Sequence, residues 1–245
     1  MLAQRFPHFC AHRGLSLCCP ENTLPAFGAA IAVGVSEIEF DLWLSADGVP
    51  VVCHDATVDR TTEGKGTISD LSWAEIRRLD AGCRMSEQWR KTRVPCLQEV
   101  VELAKGKTCL NIHIKQSGSD DLLIRKVYQT LCDQGLVDAA YLAGEEKVLE
   151  AAQHLSTDME RACLAGQNEP ARQIDIALQY GCRRAQFGRQ VGDHEISRAR
   201  QAGLICNLYY SDTPQEAAEY FQRGIDVVLT NCAHQLVNQS ITARP

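Results

Sequence analysis

Short apolar segments alternate with helical patterns from one end of this chain to the other, and that alternation limits its fold more than any other feature. The strand candidates are residues 7–12, 36–43, 108–115, 139–143, 161–165, 184–187, 204–209 and 226–230. They are rich in Val, Ile, Leu, Phe and Cys and lack clean polar alternation, as parallel strands covered on both faces do. Between and after them lie helical patterns at 24–33, 97–104, 120–134, 145–154, 170–180, 194–202, 214–223 and 233–238. Glycines suited to helix C-caps precede several strands, as at Gly34, Gly135 and Gly224. Asp212-Thr213-Pro214 reads as a capped helix start. Eight strands with eight helices predict an α/β fold, a (β/α)8 TIM barrel forming a single domain over residues 1–245. A doubly wound sheet needs no eighth unit. It usually carries a Gly-rich phosphate loop after its first strand, where this chain has His12-Arg13-Gly14.

One piece breaks the alternation. Ser45-Ala46-Asp47-Gly48 is a hairpin turn signal, and residues 49–54 read as a returning strand. Residues 55–95 follow, with the loop-like Thr61-Thr62-Glu63-Gly64-Lys65-Gly66 and a short helix pattern near 72–79. They read as an insertion over the C-terminal face of the barrel, the face whose loops carry catalytic groups in barrel enzymes.

The net charge of −6, without a basic run, excludes a nucleic-acid footprint, so any phosphate has to be held by local features. No stretch reaches the ~20 apolar residues of a membrane span. The start, Met1-Leu2-Ala3-Gln4-Arg5, leads into no long apolar core of a secretory leader. Twelve cysteines include no Cys-x-x-Cys pair, and Cys10, Cys53, Cys109 and Cys206 lie inside apolar segments. Free buried thiols in a reducing compartment are the expectation, and a cytoplasmic location with them.

The candidates for chemistry cluster at strand ends. Glu39 and Asp41 are two positions apart and share one strand face. Facing a barrel interior, two carboxylates resist burial unless a cation neutralises them, and a hard divalent ion is the natural solution. A surface strand with two solvated acids is the plainer alternative, but it would leave Ile38, Phe40 and Leu42 as the only buried face. His113 and Lys115 repeat the geometry opposite isoleucines and require a polar site at or inside the barrel mouth. His12 and His54 end segments expected to lie side by side, and a histidine pair can act as base and acid near neutral pH. Arg13 offers a planar fork of donors for phosphate oxygens. In Glu21-Asn22-Thr23, one of Asn22 or Thr23 caps the first helix, and Glu21 is either a neighbour of the metal ligands or an orienter of Arg13.

In order and spacing, Ala11-His12-Arg13-Gly14, Pro20-Glu21-Asn22-Thr23, Glu39-Phe40-Asp41, His54-Asp55, Leu110 to Lys115 and Gly224 to Asn231 resemble the glycerophosphodiester phosphodiesterase family, barrel enzymes akin to phosphoinositide-specific phospholipase C. The resemblance covers nearly the whole chain. It implies hydrolysis of glycerophosphodiesters, small-molecule substrates, to glycerol 3-phosphate and an alcohol with one divalent cation, often Mg²⁺ or Ca²⁺. It makes His12 and His54 the acid–base pair, Arg13 and Lys115 phosphate contacts with Glu21 beside them, and Glu39, Asp41 and His113 the metal ligands. Two departures stand out. The family's third ligand is usually a glutamate, and His113 in its place shifts preference toward Mn²⁺, Co²⁺ or Zn²⁺. The seventh barrel strand, where many relatives carry a Trp-Thr pair, here reads Asn207-Leu208-Tyr209-Tyr210-Ser211-Asp212. A sugar phosphodiester or a lysophospholipid are alternative substrates, the latter needing an apolar rim for which Met85, Trp89 and Val94 are the candidates. A silent phosphodiester-binding barrel is a third reading, though it would not need the histidine pair.

Overall fold

A computed structural model describes residues 5–156 and 158–237. Eight parallel strands close into a barrel in the order β1 (His8–His12), β2 (Glu37–Leu44), β4 (Cys109–Ile114), β5 (Ala140–Gly144), β6 (Glu160–Cys163), β7 (Arg184–Gly188), β8 (Ile205–Tyr209) and β9 (Val227–Thr230), the last pairing back to β1. The remaining strand, β3 (Pro50–Val52), turns back antiparallel on the end of β2 through the expected hairpin. Helices α1 (Leu24–Ala32), α3 (Leu97–Ala104), α4 (Leu122–Gln134), α5 (Glu146–Leu155), α6 (Pro170–Gln179), α7 (Asp193–Gln201), α8 (Pro214–Arg223) and α9 (Ala233–Leu236) follow the strands, with the short α2 (Trp73–Ile76) inside the segment after β3. This is the (β/α)8 TIM barrel.

Elements end where backbone chemistry stops them. Asp120 and Asp121 both take positive φ, so α4 starts at Leu122, two residues later than its pattern. Gly135, in the left-handed region, closes α4 with its N–H on the Cys132 carbonyl. Residue 238, the end of the last helical pattern, lies outside the described residues.

The strands are buried on both faces, yet their side chains do alternate. On β2, Ile38, Phe40 and Leu42 join an apolar layer with Phe27 of α1, Val100 of α3 and Ile124 and Val127 of α4. Glu37, Glu39 and Asp41 turn the other way, and all three are buried. Contacts across the barrel show that this face is the interior: Tyr141 Oη donates to Glu37 at 2.5 Å, Asn207 Nδ2 to Tyr141 Oη at 2.9 Å, and Asn111 Nδ2 to Gln186 at 3.3 Å. A matching apolar layer on the other half gathers Phe187, Ile196, Leu208, Phe221 and Val228. The solvated-strand reading of Glu39 and Asp41 is thereby excluded.

The segment after β3 has a small core of its own, in which Val58, Ile68, Ile76, Ala81 and Val94 pack with Val51 and Cys53. Val94 is therefore buried and Trp89 half-buried, which leaves Met85 alone of the three rim candidates largely exposed. The lysophospholipid reading loses the apolar rim it required. Cys10, Cys53, Cys109 and Cys206 are buried thiols outside any disulfide, as is suited to small apolar side chains. Among the described residues, no helix is long and apolar enough to cross a membrane.

Candidate active site

Strand register builds the site. Parallel pairing sets His12 of β1 opposite Glu39 of β2, and Asp41 of β2 opposite His113 of β4. All four positions point inward, so one end of the barrel gathers two carboxylates and two imidazoles. A slip of one residue on β2 would send both acids to the apolar outer face. Past the end of β4, Lys115 reaches back, and its Nζ lies 3.0 Å from Asp41 Oδ1. The β2–β3 hairpin brings His54 alongside, with the Cys53 N–H donating to the Asp41 carbonyl.

His12, Arg13, Glu39, Asp41, His54, His113 and Lys115 all line one cavity of about 190 Å³. Glu21 stands behind it, its Oε1 accepting from Arg13 NH1 at 2.9 Å. The segments bearing His12 and His54 both reach this cavity without pairing to each other. Both lie on the edge of β2 away from β4, β1 along residues 37–39 and β3 along residues 42–44. Thr23 is the N-cap of α1, accepting from Ala26 N, while Asn22 turns away and donates from Nδ2 to Asp41 Oδ2 at 2.9 Å. Gly14, with φ of 78°, leaves no room for a β-carbon against the Ala26 backbone, so the tight turn after Arg13 requires glycine there.

The two buried acids divide their charge unequally. Burial alone would raise Asp41, but the His113 hydrogen bond and the charges of Lys115, His113 and Arg13 outweigh it and hold Asp41 ionised well below the usual range. Glu39 goes the other way, pushed up by burial and by the charge on Asp41, with the Arg13 N–H donating to Oε2 at 3.0 Å. One oxygen each from Glu39 and Asp41 and one nitrogen of His113 lie within 4.8 Å of one another. Two carboxylate oxygens and an imidazole nitrogen, with burial and mutual repulsion resisting charge on both acids, suit a divalent cation.

Each catalytic candidate histidine is held by Nδ1. His12 Nδ1 lies 2.7 Å from Asn231 Oδ1, and Asn231 Nδ2 donates in turn to Asp212 Oδ2 at 2.8 Å. That second bond settles the amide orientation, so Nδ1 of His12 carries the hydrogen and Nε2 is bare, 4.0 Å from Glu39. Burial, with the neighbouring Arg13 charge, lowers His12 to about 4 and keeps it neutral near pH 7. His54 Nδ1 lies 2.6 Å from Asp55 Oδ1. Rings from β8 and the residue after it wall in His12: Tyr209 edge-on at 5.1 Å and Tyr210 stacked at 6.4 Å.

Sequence reasoning assigned no role to Asn231, Asp212 or Asp55, and passed over Glu145, Leu164, Gln167, Gln186 and Leu229 in the rest of the cavity wall. Asp55 had a signal in its adjacency to His54. Asn231 ends the last strand motif, yet its partner His12 is 219 positions away, a separation that no local pattern reports.

Comparison with known proteins agrees with this geometry. The sequence profile of the glycerophosphoryl diester phosphodiesterase family matches residues 12–234. A glycerophosphodiester phosphodiesterase of Caldanaerobacter subterraneus is 31% identical, over 93% of this chain and 95% of its own length. Among solved structures, a glycerophosphodiester phosphodiesterase from Agrobacterium tumefaciens superposes with a TM-score of 0.83 at 26% identity, covering 95% of this chain and 99% of that one. A phosphodiesterase from Oleispira antarctica, in complex with its product sn-glycerol-3-phosphate, superposes with a TM-score of 0.86 at 25% identity, covering 94% and 95%.

Proposed function

This chain belongs to the glycerophosphoryl diester phosphodiesterase family, and from that membership we propose that it hydrolyses glycerophosphodiesters to glycerol 3-phosphate and an alcohol, with a divalent cation and a histidine pair. The observation that carries the proposal is the convergence, on one cavity, of a carboxylate–imidazole cluster, two cationic side chains and two histidines held by Nδ1. The Oleispira relative holding glycerol 3-phosphate supports the product named.

Glu39, Asp41 and His113 would hold the cation, which when bound supplies Lewis-acid charge to the phosphoryl oxygens. Arg13 and Lys115 add fixed positive charge that binds the phosphoryl oxygens. Neutral His12 starts as the base, its Nε2 taking the proton of the attacking hydroxyl, whether from water or the substrate's own glycerol. His54, oriented by Asp55, gives a proton to the leaving alkoxide, so the alcohol departs neutral. If the glycerol hydroxyl attacks, a cyclic phosphate forms and water opens it with the two histidines in exchanged roles. Asn231 and Asp212 keep the His12 ring in the tautomer that this sequence of transfers needs.

His12→Ala and His54→Ala should each lower kcat roughly 10²–10⁴-fold, the usual share of acid–base catalysis. Glycerol 3-phosphate release from glycerophosphocholine, at matched folded fraction, measures the effect. Near-normal turnover in both variants would remove the histidines from the mechanism.

A further inference from the structure

Arg60 lies in the segment after β3, exposed and outside the cavity, yet its guanidinium is committed to two carboxylates that each hold a residue of the site. Nε donates to Asp55 Oδ2 at 2.6 Å. On the other side, NH1 donates to Glu21 Oε2 at 2.9 Å and NH2 to Oε1 at 2.7 Å. Asp55 in turn holds His54 Nδ1, and Glu21 holds Arg13 NH1. Hydrogen bonds therefore run along a chain of five side chains, Arg13, Glu21, Arg60, Asp55 and His54, which starts and ends on the cavity.

The loop that presents Arg60 is stapled at its base. Val58 and Thr62 are buried, Thr62 Oγ1 donates to the Val58 carbonyl at 2.7 Å, and the Gly66 N–H donates to Asp59 Oδ1 at 2.9 Å. The Val58 N–H donates to the Gly66 carbonyl, closing the loop. An exposed arginine held this way contributes little to stability, since exposed ion pairs are screened by water. Its planar fork does fix the separation and angle of the two carboxylates it joins, which a lysine ammonium could not do.

We infer that Arg60 is a positioning residue for the reaction: through Glu21 and Asp55 it sets Arg13 and His54 at a fixed separation across the cavity, which makes the segment after β3 part of the turnover machinery. The inference rests on the roles proposed above for Arg13 and His54. The Asp55 arm acts on proton transfer and so on kcat, whereas the Glu21 arm acts on phosphate binding and so on KM.

The test is a set of mutant cycles on the full-length protein with glycerophosphocholine as substrate. Arg60→Met should lower kcat/KM roughly tenfold to a hundredfold, the range seen when an orienting partner behind a working ligand is lost. Both arms contribute, kcat falling and KM rising, with the thermal midpoint unmoved. Arg60→Lys should recover little, and it serves in place of the methionine variant if that fails to fold. In an Asp55→Asn background Arg60→Met should leave kcat unchanged, and in a Glu21→Gln background it should leave KM unchanged, because the connecting group is already gone. Wild-type kinetics in Arg60→Met, or equal losses in all backgrounds, would overturn the inference. His54→Ala and Arg13→Ala are run alongside. If they too keep wild-type kinetics, the site assignment has failed rather than the role of Arg60.

Discussion

His113 puts an imidazole where the family resemblance leads one to expect a carboxylate, and so removes one negative charge from the cluster around Asp41. Its Nδ1 lies 3.0 Å from Asp41 Oδ1, where Lys115 also sits, and burial lowers its basicity. An imidazole donor favours Mn²⁺, Co²⁺ or Zn²⁺ over Mg²⁺ or Ca²⁺. His113→Glu should reverse that order, with Mg²⁺ or Ca²⁺ giving the higher turnover, as judged by activity of the stripped variant resupplied with each ion. An unchanged order would mean that residue 113 does not bind the cation. At this scale, residue types close in sequence were legible. Glu39 with Asp41, and His113 with Lys115, announced themselves by their i, i+2 spacing on strands. Asn231 and Asp212 did not, because a hydrogen bond between the first and last barrel strands leaves no trace in either segment alone. Arg60 was equally silent: an exposed arginine in a loop looks the same whether it meets water or two carboxylates.

Among elements, β2 organises the site. It lends three acids to the interior and three apolar residues to the helices, and it meets β1, β3 and β4 along its length. Phe40 is fully buried on the outer face, with the Phe27 ring of α1 edge-on at 5.8 Å. Phe40→Ala should cost about 3–5 kcal/mol in urea unfolding, the usual loss for a buried aromatic. Turnover per folded molecule should fall much less at low temperature, since the site lies on the opposite face. A variant of undiminished stability would show that β2 is not anchored by this layer. Strand and helix positions were legible because glycine, proline and capping residues punctuate them, as Thr23 and Gly135 do. Adjacency of β3 was not. The hairpin signal said that the chain returns, but not that it returns on the edge of β2 away from β4, beyond the end of β1.

Across the whole molecule, polar side chains fill the barrel from the catalytic mouth to the far end. There Glu37, fully buried, accepts from Tyr141 and faces His8 at 3.5 Å and Arg184 at 3.8 Å. Burial alone would raise Glu37, but the facing His8 imidazole and the Arg184 charge prevail and bring it down to about 2. A carboxylate depressed in the folded state stabilises it fully above the unfolded value of about 4.3, and that contribution disappears as pH falls toward 2. Urea unfolding followed from pH 6 down should therefore show stability dropping through this window, with Glu37→Gln less stable at neutral pH and flatter below about 4. An equally steep loss in the variant would place the acid sensitivity elsewhere. The barrel itself was legible because eight strand–helix units admit few other closures. The segment after β3 was not, since its small core is assembled from single apolar residues scattered through loops.

The reaction remains the most direct point of test. Metal-stripped protein should release no glycerol 3-phosphate from glycerophosphocholine or glycerophosphoethanolamine, and resupply with one of Mg²⁺, Ca²⁺, Mn²⁺, Co²⁺ or Zn²⁺ should restore it. Full turnover in the stripped protein, or none with any of the five ions, would contradict a cation-assisted glycerophosphodiesterase at this site.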